Sequence, residues 1–426
     1  MFENLLGQNE ILKTLKSDLE ADRLPPAILF SGSPGSGKIT AALELARVLS
    51  CTSTTEGRPI AARAAWNCPC PSCTRHRSLV HPDLVLFGPR TFPDEIQAAL
   101  ELLDRSPGAP SSYFFSRAAR KLARRFDAVL YQGEESRIAK AAPLLRELEE
   151  QIDAVAPERA TPGVLAPGSA EAAAKAAGIC AKLEAFVPDT PPVFMIRNIE
   201  FWSRLSPLGK RKTVVMENAD RMLESSRNAL LKILEEPPDS VRFVLTSSRR
   251  SALMTTILSR VRTYNFAMRD SAGTGLVIER VFRSSEQVPS VESFLSARRS
   301  FPPAEARAKA EAFLGAAFST RSEGNGGLRT SALTSLLEAT KEFGQKDDRY
   351  SSSFRSFIAA LSSTLGAMLR EEGLDATAIH LIDQAALLVR NASNDYETLN
   401  RSPSLLAESL MYALTEAGGG SAGIQR

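Results

Sequence analysis

Short apolar runs alternate with amphipathic segments along the first 90 residues, and the same pattern returns after residue 191. Segments at 28–30, 84–87, 212–220 and 242–248 each contain a short apolar run, and the last two end in polar residues. This pattern predicts strands buried on both faces of a parallel sheet. Apolar positions recur at helical spacing before residue 20, and again at 196–205 and 226–236. This alternation predicts an α/β core, a parallel sheet flanked by helices.

The pattern becomes helical between about residues 91 and 190, with a Pro/Gly/Ala-rich interruption near 157–168. It is helical again from about residue 270, with a glycine-rich break at 324–327 and a second helical part at 353–414. The glycine-rich end, from residue 418 onward, predicts a disordered tail.

One predicted helix of the middle segment places five cations on one face: Arg117, Arg120, Lys121, Arg124 and Arg125. One interpretation is a helical hairpin with a solvated basic side. The alternative is a contact with the DNA backbone or with a partner protein.

Length and composition set bounds on the class of protein. A chain of 426 residues predicts two to four domains, and 43% hydrophobic with 24% charged residues is typical of globular proteins. The net charge of +3 is too small for a freestanding nucleic-acid binder. The first residues do not resemble a signal peptide and no apolar run is long enough to span a membrane, so we expect a cytoplasmic location without membrane partners.

A glycine-rich loop between the first strand and the next helix is the main candidate for chemistry. Its residues are Gly32, Ser33, Pro34, Gly35, Ser36, Gly37 and Lys38, followed by Ile39 and Thr40. A strand, a glycine-rich loop and the start of a helix, in that order, are typical of a phosphate-binding loop. The backbone N–H groups and the lysine of such a loop bind nucleotide phosphates. A coincidental glycine-rich turn is the other interpretation.

Ile39 stands where the phosphate-loop motif requires the Ser or Thr that ligates magnesium. It has no oxygen, and the hydroxyl of Thr40 projects about 100° further round the helix. The sequence therefore predicts a phosphate loop that has lost its metal ligand.

A second departure lies at the end of the strand that begins at residue 212. Phosphate-loop enzymes place an Asp for magnesium there, often beside a Glu that acts as base, whereas this chain has Glu217 and Asn218. An amide does not accept a proton from water. Thr246, at the polar tip of the next strand, completes the candidate nucleotide site.

Four of the five cysteines lie close together: Cys51, Cys68, Cys70 and Cys73. The spacing of Cys70 and Cys73 forms a zinc knuckle, and the cluster predicts one structural zinc ion. Cys68 is only two positions before Cys70, so His76 or His81 is an alternative fourth ligand. Buried thiols without metal are the competing interpretation.

Several of these blocks, taken in order, resemble the clamp-loader ATPases of bacterial DNA polymerase III, above all their delta-prime subunits. The matching blocks are Leu6-Gly-Gln8, the loop from Gly32 to Lys38, the cysteines ahead of His81-Pro-Asp83, Lys210-Arg-Lys-Thr-Val-Val, Asn228 to Pro238, and Thr256-Ile-Leu-Ser-Arg260. The resemblance covers residues 1–88 and 192–266 firmly and the C-terminal helices more loosely.

The resemblance implies a domain plan. An AAA+ ATPase-like core would comprise residues 1–90 and 191–268, with a zinc module at about 51–73 and a helical insertion at 91–190. A helical lid at 269–345 and a helical collar at 346–417 would precede the tail at 418–426. Gly327-Leu-Arg329 is a loose match to the lid's sensor arginine.

The resemblance also implies partners. Collars of this family join five subunits, gamma/tau and delta among them, into a ring that opens the sliding clamp and sets it on primed DNA. Arg260 would project into the ATP site of a neighbouring subunit as an arginine finger.

The combined departures at Ile39, Glu217 and Asn218 predict a subunit that does not hydrolyse ATP. The loop backbone and Lys38 are intact, so ATP binding can persist. It would be an assembly subunit of the DNA polymerase III holoenzyme. The alternative is a catalytically active gamma/tau-type ATPase. A repair or recombination ATPase is a third hypothesis, which the block from Asn228 to Pro238 opposes.

Overall fold

The computed structural model describes residues 1–53, 64–161, 163–298, 303–319, 349–370, 375–399 and 401–419. The chain forms two compact units, Met1–Leu295 and Ser296–Arg426. Each unit has its own apolar core, and each is described separately below.

The first unit is built on a five-stranded sheet with the order β2-β3-β4-β1-β5, in which every pair is parallel. The strands are β1 (Ala27–Gly32), β2 (Leu84–Phe87), β3 (Lys212–Met216), β4 (Val241–Ser247) and β5 (Arg262–Phe266). This confirms the prediction of a parallel sheet flanked by helices. Strands β1 to β4 overlap the four predicted segments, although β3 ends at Met216 where the prediction extended to residue 220, and edge strand β5 was not predicted.

Alternate residues of each strand face opposite sides of the sheet, and in β1 to β4 both sides are buried. In β1, Ala27 and Leu29 belong to one apolar cluster, and Ile28 and Phe30 belong to the other. A strand that buries both faces has no regular polar alternation, which is why each of these strands contains adjacent apolar residues in sequence.

Twelve helices begin in the described part of this unit, together with several short 3₁₀ turns. They are α1 (Asn9–Glu20), α2 (Lys38–Ser50), α3 (Pro71–Arg77), α4 (Pro93–Arg105), α5 (Ala109–Ala123), α6 (Ala142–Ala154), α7 (Ser169–Glu184), α8 (Val193–Arg204), α9 (Glu224–Glu235), α10 (Thr255–Leu258), α11 (Ser271–Phe282) and α12 (Val291–Ser296). Helices α1 and α2 cover one face of the sheet, and α4 to α9 contribute to the core on the other.

The helices of the middle segment share one apolar core with the sheet. Phe115 on α5 and Ile152 on α6 belong to the same buried cluster as Phe87 of β2 and Phe243 of β4. The segment from 91 to 190 is therefore a structural part of this unit, because it buries one face of the sheet.

The five cations predicted to form a solvated basic face are all engaged within the chain. Arg125 and Lys121 pair with Glu217 and Glu95, and Arg120 pairs with Glu149 and Asp153. The other two donate to backbone carbonyls: Arg117 to those of His76 and Arg77, and Arg124 to those of His81 and Leu84. The predicted solvated face is wrong, because Lys121 and Arg125 are buried and all five groups bind the protein itself. The alternative, a contact with the DNA backbone or with a partner protein, stays a prediction.

The second unit is helical in its described part. Its helices are α13 (Pro303–Ser319), α14 (Arg349–Met368), α15 (Ala376–Leu399) and α16 (Pro403–Gly419), and they pack around a single apolar cluster. Helix α16 extends two residues into the predicted tail, of which residues 420–426 lie outside the described residues. The predicted sensor segment Gly327-Leu-Arg329 also lies outside them.

None of the helices in the described ranges is long and apolar enough to cross a membrane.

Candidate phosphate-loop and metal sites

The glycine-rich loop lies at the carboxyl end of β1, between the neighbouring ends of β4 and β5. Helix α2 starts at Lys38, directly after Gly37, whose φ of 99° is in the left-handed region. A side chain on Gly37 would also lie 2.7 Å from Leu5 Cδ1 and 2.9 Å from Arg269 Nη2. The positive φ favours glycine at this position, and a larger residue would also displace the ends of the Leu5 and Arg269 side chains. The loop thus has the strand, turn and helix arrangement of a phosphate-binding loop.

The Lys38 ammonium donates hydrogen bonds to the carbonyls of Gly32 and Ser33, each at 2.7 Å. Lys38 is only 8% exposed, and burial lowers its pKa to about 8, although the carboxylates of Glu217 and Asp220 oppose that shift. The lysine therefore lies within the loop, where its ammonium could exchange its hydrogen bonds with the two carbonyls for hydrogen bonds with an anion.

Two further side chains hold the loop from outside. Arg269 donates to the carbonyls of Gly35 and Leu6, and Gln8 donates to the carbonyls of Ser36, at 3.1 Å, and Ala267, at 2.8 Å. Sequence reasoning noted the block containing Gln8 without giving it a contact, and it missed Arg269. No motif marks Arg269, since it reaches the loop only through the fold.

Ile39 is half-buried and packs against the apolar cluster formed by α1, α2 and one face of the sheet. Thr40 is also half-buried. The residue after the lysine thus contributes to the core, and it offers a cation no oxygen.

Glu217 follows β3, and each of its carboxylate oxygens accepts a hydrogen bond from an arginine. Arg125 Nη2 lies 2.7 Å from Oε1, and Arg90 Nη1 lies 3.0 Å from Oε2. Glu95 accepts from the other amino group of Arg90 and from Lys121. Five charged groups therefore form one buried network of three cations and two carboxylates.

The network keeps both carboxylates ionised. Burial alone would raise the pKa of Glu217 and of Glu95, but the cations outweigh it and lower both, that of Glu95 to about 2. Since both oxygens of Glu217 are committed to arginines, a magnesium ion at this position would have to compete with two fixed positive charges.

Asn218 is left-handed, with φ 49° and ψ 51°, a conformation that asparagine adopts more readily than most residues. Its amide donates to the carbonyl of Pro89 at 2.7 Å, and its backbone N–H lies 3.2 Å from the hydroxyl of Thr246. The structure thus brings Glu217, Asn218 and Thr246 together at one edge of the sheet. Asn218 acts there as a turn residue.

Arg260 lies just after α10. Its Nη2 is 2.7 Å from Glu235 Oε1, and its Nη1 donates to the carbonyl of Thr256 at 2.9 Å. The side chain is 33% exposed and that of Glu235 is 52% exposed. A surface pair of this kind contributes only about 0–1 kcal/mol, so the guanidinium could exchange its partner at little cost.

The thiols of Cys51, Cys68, Cys70 and Cys73 converge, with all four sulfurs within 4.8 Å of one another. Cys51 Sγ lies 3.8 Å from Cys68 Sγ and 3.9 Å from Cys70 Sγ. A tetrahedral zinc with Zn–S bonds of about 2.3 Å requires sulfurs about 3.8 Å apart. The four cysteines therefore fit a tetrahedral metal ion such as zinc.

The two histidines proposed as alternative ligands lie outside this group of converging thiols. His81 Nδ1 accepts from the N–H of Asp83 at 3.1 Å, and its Nε2 lies 3.0 Å from the Ser72 hydroxyl. His76 stacks on His81 with ring centroids 4.1 Å apart. Both rings are buried and fix the loop after α3, so four cysteines suffice without them.

The fold and the loop together define a class: parallel α/β proteins with a glycine-rich, phosphate-loop sequence after a central strand. A family profile described as "DNA polymerase III, delta subunit" matches residues 7–107 and 194–270, fewer than half of the 426 residues. The matched segments include the loop, the cysteines, Glu217 and Arg260.

Two curated relatives are DNA polymerase III delta-prime subunits. The one from Haemophilus influenzae is 39% identical over 57 residues, which is 13% of this chain and 17% of the relative. The one from Bacillus subtilis is 39% identical over 82 residues, 19% of this chain and 22% of the relative. These matches confirm the predicted similarity to delta-prime clamp-loader subunits, over about a fifth of the relatives' length.

Among solved structures, a DNA polymerase III gamma subunit-related protein from Thermotoga maritima matches at 18% identity with a TM-score of 0.27. The match covers 57% of this chain and 90% of that one.

Proposed function

We propose that this chain is a delta-prime-like subunit of a DNA polymerase III clamp loader. It supports ATP-dependent loading of the sliding clamp onto primed DNA without hydrolysing ATP itself. The proposal extends the partial similarity to delta-prime subunits to the role of the whole chain.

The observation that carries the non-hydrolysing role is the pairing of Glu217 with Arg90 and Arg125. Hydrolysis needs a magnesium ion held beside the phosphates and a base that orients water. Here the acid at the strand end is neutralised by arginines, its neighbour Asn218 is a turn residue, and Ile39 lacks a hydroxyl. Loss of a general base alone typically costs about 10²–10⁴ in rate.

Arg260 serves a neighbour's ATP in this proposal. A guanidinium remains charged and its donors match phosphate oxygens. Its pairing with the half-exposed Glu235 keeps it at the surface, and exchanging that carboxylate for a phosphate costs little. A subunit can thus lack catalytic residues of its own and still contribute to hydrolysis in the complex.

The remaining parts take the roles that the domain plan assigns. The four cysteines hold one structural zinc ion, which fixes a loop that has little apolar sequence of its own. Residues 269–345 act as the lid and residues 346–417 as the collar, and the collar joins gamma/tau and delta subunits in a pentameric ring.

The proposal is tested by steady-state phosphate release. The purified chain should hydrolyse ATP negligibly, and turnover typical of active loader subunits would instead favour the gamma/tau-type ATPase. In a reconstituted loader, Arg260→Ala should lower the clamp- and DNA-stimulated ATPase in part, because other subunits keep their own arginines.

A matched control for Arg260 is Arg249→Ala. Arg249 is a surface arginine that pairs with Asp220 at 3.3 Å, and the proposal gives it no role. If both variants load clamps at the wild-type rate, the arginine-finger part of the proposal is wrong.

A further inference from the structure

Arg47, on the helix that follows the phosphate loop, is 1% exposed and uses all five of its N–H donors. Two bonds go to the carboxylate of Glu44, at 2.6 and 3.0 Å, and two go to the carbonyls of Ala64, at 2.7 Å, and Ala65, at 3.0 Å. The fifth donor, on Nη1, lies 3.2 Å from the sulfur of Cys73. One guanidinium therefore joins helix α2, the segment leading to Cys68, and a cysteine of the converging group.

The contact with Cys73 has a defined chemical consequence. Metal ligation requires thiolates, and four thiolates around one Zn²⁺ carry a net charge of −2 in a buried place. A charge-assisted N–H donor to one sulfur stabilises that charge and fixes the direction of the sulfur lone pairs. Arginine suits the task, since its fork lets it hold Glu44 and Cys73 at the same time.

Glu44 orients this guanidinium. It accepts from Arg47 through both oxygens, and it also accepts the backbone N–H of Phe2 at 3.1 Å. With the carboxylate anchored in this way, Arg47 presents its remaining donors in one geometry.

We propose that Arg47 is a positioning residue of the metal site. It donates a hydrogen bond to the Cys73 thiolate, and its bonds to the carbonyls of Ala64 and Ala65 fix the segment that leads to Cys68. Because Arg47 lies on α2, it also connects the metal site to the helix that follows the phosphate loop. The inference rests on the zinc ion of the proposed function and extends it to a residue that no cysteine motif contains.

The test compares two variants that both lack the buried ion pair. Glu44→Gln retains the guanidinium and its bonds to Ala64, Ala65 and Cys73, and a Co²⁺ spectrum equal to that of the wild type verifies this, whereas Glu44→Gln/Arg47→Met removes the guanidinium without leaving a buried carboxylate unpaired. Zinc affinity of the full chain is measured by competition with a chromophoric chelator. The visible absorption of the Co²⁺-substituted protein reports the geometry of the thiolate ligands.

We expect the double variant to bind zinc about 10–100-fold more weakly than Glu44→Gln, with an altered Co²⁺ spectrum. Equal affinities and equal spectra would overturn the inference and leave the zinc site standing. A wild-type chain that binds no zinc would overturn the metal site itself, and the clamp-loader role would still stand on co-assembly.

If the double variant does not fold, Arg47→Lys provides the same test. Lysine retains a charge but not the fork, so its zinc affinity and Co²⁺ spectrum should also change. Wild-type values for a folded Arg47→Lys variant would contradict the role of the guanidinium.

Discussion

Replacing Arg125 by Met should destabilise the first unit strongly, because it leaves Glu217 buried with one partner fewer. Arg125 is 2% exposed and Glu217 is 4% exposed, and the Nη2–Oε1 distance is 2.7 Å. Removing one partner of a buried ion pair costs about 3–5 kcal/mol. Arg90 still holds the other oxygen, so we expect a loss of about 3 kcal/mol in the free energy of unfolding.

The assay is urea-induced unfolding of the full chain followed by circular dichroism. Arg120→Met is the matched control, because Arg120 lies on α5, five residues before Arg125, but pairs with Glu149 and Asp153, whose side chains are 44% and 66% exposed. Its removal should cost only about 0–1 kcal/mol. Adding Glu217→Gln to Arg125→Met should restore part of the lost stability, since no buried charge then lacks its partner.

A cost for Arg125→Met no larger than that for Arg120→Met would refute this reasoning. It would mean that the carboxylate of Glu217 is solvated in solution. The acid at the end of β3 would then be free to bind a cation, and the case against hydrolysis would weaken.

Three further predictions concern the metal, the phosphate loop and acid stability. The purified chain should contain one zinc ion, and Cys73→Ser should lose it; elemental analysis showing wild-type zinc content in that variant would exclude Cys73 as a ligand. Because the pKa of Lys38 is about 8, the rate at which its amine is acetylated should be half-maximal near pH 8, well below the corresponding pH for exposed lysines. Mass spectrometry of the labelled peptide measures this rate, and a midpoint near pH 10 would contradict the prediction. The folded state lowers the pKa of Glu95 from 4.5 to about 2, so its contribution to stability is present above pH 4.5 and is lost as the pH falls toward 2. Glu95→Gln should therefore flatten the fall in unfolding free energy over that pH range, and an unchanged slope would contradict the ion pairs with Lys121 and Arg90.

The elements predicted correctly from the sequence are those that local chemistry specifies. A strand buried on both faces contains a run of adjacent apolar residues, so the segments that include β1 to β4 were visible without a structure. Strand β5 lies at the edge of the sheet and alternates Arg262, Thr263, Tyr264, Asn265 and Phe266, of which only Tyr264 and Phe266 are buried. A five-residue run with two buried positions gives little periodic signal.

The partners of charged residues could not be predicted, because they depend on which helix packs against which strand. Arg125 and Lys121 follow the same helical spacing as a solvated basic face, and only the fold brings them to Glu217 and Glu95. For the same reason the sequence showed that Glu217 departs from the magnesium-binding pattern without showing what binds it.

For the clustered cysteines, the metal site could be predicted from the sequence but the contact with Arg47 could not. Their composition and clustering predicted a metal site, and the structure brings the four sulfurs together without either histidine. The contact of Arg47 with Cys73 joins residues 26 positions apart, and no spacing rule anticipates it.

The central claim is that this chain is an assembly subunit of a clamp loader, and the most direct test is the native mass of the chain mixed with gamma/tau and delta subunits. The account predicts a stable complex that contains one copy of this chain and whose mass corresponds to a five-subunit ring. Addition of the sliding clamp and ATP should increase that mass by one clamp. A chain that remains a solitary monomer in the presence of those subunits would contradict the account.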